Sequence, residues 1–205
     1  MNVNLPGPID KREGANLPHW TRDAATYFVT FRLADSLPEG AKEKLRHEVR
    51  ELERQIQMGA TPLTAEDEDR YAQLRSEKYE QLLDNGYGEC VLRRSEIAEV
   101  VANALRFFDG DRYDLWAWCV MPNHVHVVFQ PAKGHSMSLI LKSWKSFTGR
   151  KAGELLGRKG GIWQSESFDH LIRNEADFVR CVQYTLKNPE VAGLRDWKWV
   201  GDKTK

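Results

Sequence analysis

Two runs rich in β-forming residues, "YDLWAWCV" (113–120) and "HVHVVFQP" (124–131), are separated by only three residues, "MPN". A connection that short favours an antiparallel pair, with the chain reversing at Pro122-Asn123. This hairpin constrains the fold more than any other feature, because every other element has to be arranged around it.

The segments on either side alternate in type. "ATYFVTFRLAD" (25–35) has strand composition and is stopped by "SLPEG". Leu45, Val49, Leu52 and Ile56 recur at helical spacing, which predicts a helix over 40–58. After "MGATPLT", Thr64 before "AED" resembles a capping box, and a second helix is expected to about Leu83. "RSEIAEVVANALRFFDG" predicts an amphipathic helix over 95–108, and another is expected over 137–156 with Gly157 at its end. "WQSESFDHLIR" holds a short strand. "NEADFVRCVQYTLKN" predicts a helix capped by Asn174 and ended at Asn188-Pro189. Residues 1–20 read as an irregular arm and 189–205 as a tail. With 40–83 set aside as a helical insertion, the order is β-α-β-β-α-β followed by a helix. That order predicts an α+β fold of the ferredoxin-like (RRM-like) kind: an antiparallel sheet with helices on one face, in a single domain over 1–205.

Composition narrows the class. The chain has 205 residues, 41% apolar and 29% charged, as a soluble globular protein has. There is no apolar run of about 18 residues, so no membrane span is expected. No secretory h-region opens the chain, which makes the cytoplasm the expected compartment. Three widely spaced cysteines argue against a disulfide framework or zinc finger. Formal net charge is zero, but residues 131–163 carry seven basic groups against Glu154, whereas 39–80 carries eleven acids against eight bases. The basic stretch is either a working face or an ordinary solvated helix surface.

Residues two apart in a strand share a face, so His124 and His126 project together, about 7 Å apart along the backbone. Two such imidazoles can converge on one metal ion, or each can simply hydrogen-bond on a solvated sheet face. On the last helix, Phe178, Cys181, Val182 and Leu186 form an apolar stripe. Tyr184 lies off its centre and shares an edge with Arg180 and Asn188, each four residues away. An amide oxygen on Asn188 can complete a His-His-Asn metal site beside the tyrosine hydroxyl; Tyr184 can equally well just pack.

"VMPNHVHVVF" resembles the His-hydrophobic-His (HUH) motif of single-tyrosine nucleases, and "VQYTLKNPEVAGL" is similar to the stretch that carries their nucleophilic tyrosine. "YFVTFRLADSLP", "FFDGDRYDLWAWCVMPNHVHVVF", "LILKSWKSFTG", "GIWQSESFDHLIR" and "DWKW" all look like REP-associated tyrosine transposases. The resemblance implies a single-stranded DNA endonuclease and strand transferase. Tyr184 would be its nucleophile, leaving a 5′-phosphotyrosine, and His124, His126 and Asn188 would hold Mg²⁺ or Mn²⁺. It further implies hairpin-forming palindromic DNA as partner, a monomer or homodimer, and a nucleoid-associated location. A non-catalytic ferredoxin-like nucleic-acid binder is the alternative. Single-strand binders combine basic grooves with aromatic platforms. Lys142, Lys145 and Arg150 are therefore candidate phosphate contacts, with Trp144 and Trp163 as stacking platforms, Trp144 being equally a core residue. The resemblance also places His170 and Arg173 near the active site.

Overall fold

The computed structural model describes residues 10–13, 18–21, 25–41, 43, 47, 50, 51, 54, 78 and 81–203. The chain divides into two compact units, Met1–Ala34 with Val91–Lys205, and Asp35–Cys90.

In the smaller unit, residues 39–41 and 81–84 are helical, as are the described positions between them. Leu45, Val49, Leu52, Ile56 and Thr64, on which the two helices were expected, lie outside the described residues. Here Asp35 Oδ2 accepts a hydrogen bond from the Glu89 amide at 2.8 Å. Gly88 sits at φ +85°, and a Cβ there would fall 2.7 Å from Asp35, so the position admits only glycine.

The larger unit opens with a hairpin, β1 (Asp10–Glu13) and β2 (Pro18–Thr21), paired in the register Asp10↔Thr21. The expected irregular arm is therefore corrected. Four-residue strands without apolar alternation leave no period for a sequence reading to find. The main sheet follows: β3 (Tyr27–Leu33), β4 (Tyr113–Val120), β5 (His124–Pro131), β6 (Trp163–Leu171) and β7 (Val200–Asp202). Their order is β6-β3-β5-β4-β7 and every pairing is antiparallel. The helices are α1 (Ser95–Arg106), α2 (Met137–Leu156) and α3 (Glu175–Val191). The α+β class and the antiparallel sheet are as the sequence predicts. Among the described residues no helix is long and apolar enough to cross a membrane.

α1 and α2 share one face of the sheet, as the sequence predicts, and α3 adds cover on the other. Tyr27, Val29, Phe31, Val125, Val127 and Phe129 pack on one face of the sheet against Ile97, Val101 and Leu105 of α1 and Ile140, Leu141 and Trp144 of α2. Phe28, Ala117 and Val128 pack on the other face with Phe178, Cys181, Val182, Tyr184 and Leu186 of α3. The central strands are apolar at consecutive positions, as in Val127-Val128-Phe129. Such strands need cover on both sides, and each fully buried large side chain contributes about 1.5–3 kcal/mol.

Two further boundaries move. α3 does not stop at Asn188 but runs through Pro189 to Val191. Pro189 has no amide hydrogen, so it makes no bond back to Thr185 one turn earlier. Beyond it, the amides of Ala192, Gly193 and Leu194 close onto the carbonyls of Asn188, Glu190 and Pro189 at 3.0, 3.0 and 2.8 Å. The supposed tail then supplies β7, which pairs with β4 in the register Trp118↔Gly201.

Candidate functional site

His124 and His126 stand on the α3 face of the sheet, both fully buried. Each ring is held from behind. His124 Nδ1 is 2.7 Å from Asn123 Oδ1, and His126 Nδ1 is 2.8 Å from Thr30 Oγ1. Thr30 is the cross-strand partner of His126 on β3, so the contact follows from register. The two Nε2 atoms face each other at 2.9 Å. Burial pushes His124 down to about 3. It also holds His126 well below the ordinary imidazole range, with the neighbouring His124 adding to the effect. Both rings are thus neutral at pH 7, the form that ligates metals. Asn123 Oδ1 can only accept, so it fixes the His124 proton on Nδ1 and leaves a lone pair on Nε2.

α3 lays Tyr184 over this pair. The Tyr184 ring meets His126 edge-on at 5.3 Å. Phe28 stacks on His126 at 5.5 Å and touches Tyr184 at 5.8 Å. One turn on, Asn188 Nδ2 donates to the Tyr184 hydroxyl at 3.1 Å. Asn188 is buried, and its Oδ1 has no hydrogen-bond partner among the described residues. A buried unpaired amide oxygen costs about 1–3 kcal/mol. Two neutral imidazole nitrogens and an unsatisfied amide oxygen suit a divalent ion with nitrogen and oxygen preference. The donor types present therefore fit a divalent ion.

The remaining candidates scatter. Trp144 is corrected from stacking platform to core residue. It is 3% exposed, donates from Nε1 to Tyr113 Oη at 3.0 Å, and packs edge-on against Tyr113 and Phe129. Trp163 packs on the same core, 4.9 Å from Phe31, with its Nε1 donating to Thr148 Oγ1 at 2.8 Å. α2 covers the sheet face opposite the histidines, so exposed Lys142 and Arg150 are not gathered with Tyr184. Lys145 donates to the Ser165 carbonyl at 2.7 Å. Its ammonium is brought down to about 8 by burial and by Arg32, with Glu166 opposing. On the tyrosine side, His170 Nε2 pairs with Asp177 Oδ2 at 2.8 Å, and the Arg173 amide donates to the same oxygen at 3.2 Å while its side chain is exposed.

The sequence reading passed over Thr30, Phe28 and Asp177, and took Asn123 for a turn residue only. Thr30 lies 96 positions from His126, which both it and Phe28 touch, and only strand register reveals them. Asn123 directly precedes His124, a signal that was present in the sequence.

No family model matches the chain. A Haemophilus influenzae (strain Rd) protein carrying the name "Putative REP-associated tyrosine transposase" is 27% identical over 101 residues, which is 42% of this chain. This chain spans 57% of that relative's length. A solved REP-associated tyrosine transposase bound to a REP hairpin matches with a TM-score of 0.51 at 19% identity, covering 91% of this chain and 82% of that one. The chain resembles REP-associated tyrosine transposases in sequence and in fold. The sequence likeness covers less than half of the chain, and the structural match carries the fold alone.

Proposed function

We propose that this chain cuts and rejoins single-stranded DNA through a covalent bond to Tyr184, acting next to hairpin-forming palindromes. The observation that carries the reading is one residue, Asn188, which bonds the Tyr184 hydroxyl through Nδ2 and leaves its buried Oδ1 without a partner among the described residues. Tyrosine has a pKa near 10 and needs help to attack at neutral pH. The Asn188 amide donates to the oxygen on which negative charge develops, and hydrogen bonding to the charged form favours it. His124, His126 and Asn188 Oδ1 would hold Mg²⁺ or Mn²⁺. When bound, the ion would polarise the phosphate and offset its charge. Asn123 and Thr30 keep the imidazoles aimed, as partners of ligating histidines do.

In the step itself, Tyr184 Oη forms a bond to phosphorus, the bond from phosphorus to the 3′-oxygen breaks, and the proton lost by the tyrosine is balanced by one that the 3′-oxygen takes up from solvent. A 5′-phosphotyrosine and a free 3′-hydroxyl result. The number of phosphoester bonds is conserved, so the reverse attack by another 3′-hydroxyl rejoins a strand. The hairpin substrate is supported by the likeness to the hairpin-bound transposase.

The test is incubation with hairpin-bearing single-stranded DNA and Mn²⁺, read on a denaturing gel. A covalent adduct is expected, abolished by chelator and by Tyr184→Phe. An adduct that persists in Tyr184→Phe would overturn the assignment. Hairpin binding indifferent to chelator, with no hairpin cut, would leave a non-catalytic binder.

A further inference from the structure

A second set of ligating groups lies where β6 passes the first turns of α3, apart from the histidine pair. His170 on β6 brings Nε2 to 2.8 Å from Asp177 Oδ2, and Cys181 Sγ lies 3.8 Å from Asp177 Oδ1. One ligand atom from each of the three residues lies within 4.8 Å of the others. A tetrahedral ion with bonds of about 2.0–2.3 Å spaces its ligands by roughly 3.5 Å. Side-chain rotation of about an ångström therefore closes the set. Asp177 and Cys181 are four apart on α3 and share its inner face. His170 and Asp177 are half-buried while Cys181 is buried, so the cluster is closed on the protein side and open toward solvent.

We propose that His170, Asp177 and Cys181 bind a divalent ion of the zinc class, with water in the fourth position. The donor set selects the ion. Thiolate and imidazole prefer zinc to the magnesium or manganese suited to oxygen-rich sites. A thiolate and a carboxylate together neutralise the ion's two charges. On binding, the Cys181 thiol releases its proton to solvent, and His170 coordinates as the neutral ring with its proton on Nδ1. The neighbouring charges act on the affinity in a defined way. Arg180 pairs with Asp177 Oδ1 and competes with the ion, and the Arg173 amide shares Oδ2. The bound ion ties β6 to the helix that carries Tyr184.

The test uses the full-length protein and Co²⁺ as a spectroscopic probe. A thiolate-to-cobalt charge-transfer band in the near ultraviolet is expected, together with the visible bands of a tetrahedral ion. Zn²⁺ should displace both. The charge-transfer band should vanish in Cys181→Ser and survive in His124→Ala, which separates this site from the histidine pair. In half-exposed His170→Gln, which keeps the thiol, Zn²⁺ affinity should fall by about 10–100-fold or more, since outer-partner changes alone reach that size. No charge-transfer band in the wild type, or a band unchanged in Cys181→Ser, would overturn the proposal. So would Zn²⁺ affinity unchanged in His170→Gln. None of these readouts depends on DNA cleavage.

Discussion

The 2.9 Å approach of His124 Nε2 to His126 Nε2 poses a proton problem. If Thr30 donates to His126 Nδ1, then His126 Nε2–H donates to His124 and the pair is a simple hydrogen bond. If Thr30 accepts instead, both Nε2 atoms carry lone pairs that repel until a cation lies between them. The hydroxyl can serve either arrangement, so under the proposed function Thr30 would let the pair switch to a ligating form. Thr30→Val removes that option while keeping the strand's shape. We expect Mn²⁺ affinity in calorimetric titration to fall about 10–100-fold, with the melting temperature changed much less. Unchanged affinity would remove Thr30 from the site. A second residue-scale expectation concerns Asp177. Burial raises its carboxyl, but bonds from His170, Arg180 and the Arg173 amide outweigh it and hold the group well below its ordinary value. A carboxyl depressed in the folded state stabilises above its unfolded value of about 3.9, and that contribution is lost as pH falls through the folded value. Asp177→Asn should therefore melt below wild type at pH 7, and the gap should narrow progressively as the pH drops below about 4. A gap that is constant down to pH 3 would mean that the charge contributes nothing.

At the level of elements, periodicity identified what is long and regular. The hairpin of β4 and β5, the helices α1 and α2, and the tyrosine helix were all legible because each has an apolar stripe or alternation. β7 was not, since three residues with glycine at the centre carry no period. The bulge in β4 was hidden too. Trp116 is the extra residue between the pairs Leu115↔Phe129 and Ala117↔Val128, which sends Leu115 to one face of the sheet and Ala117 to the other. The site shows the same division. His124, His126 and Tyr184 could be picked out in the chain, whereas Thr30 and Phe28 became visible only through register. The basic α2 misled because charge along a helix shows which of its sides is wet, but not which side of the sheet the helix covers. β7 also supports a stability expectation. A Cβ on Gly201 would come within 2.9 Å of the Trp118 ring, so the strand can lie there only without a side chain. Gly201→Ala should cost about 1–3 kcal/mol, as overpacking does, and be read as a lower midpoint in chemical denaturation. A neutral Gly201→Ala would mean that β7 is loosely docked.

On the scale of the whole molecule, the sheet separates two surfaces. Tyr184, Asn188 and the histidines belong to the α3 side, and the basic residues of α2 belong to the other. Under the proposed function, DNA reacting at Tyr184 would run along α3 and the end of β6, where His170 and Arg180 pair with Asp177 and the exposed Arg173 follows β6. Phosphate contacts release counterions, so each lysine or arginine that makes one contributes to the salt dependence of binding. Arg173→Gln should weaken hairpin binding and reduce the log–log salt slope by about 1. Lys142→Gln on the far side should change neither. Fluorescence anisotropy of a labelled hairpin, titrated at several salt concentrations, measures both quantities. His124→Ala in the same assay should keep its affinity for the hairpin while losing cleavage, because the imidazoles are buried under α3, with the Tyr184 ring against His126, out of reach of a strand on the surface. If Lys142→Gln flattened the slope and Arg173→Gln did not, DNA would approach across α2. Tyr184 could then be reached only from around the edge of the sheet.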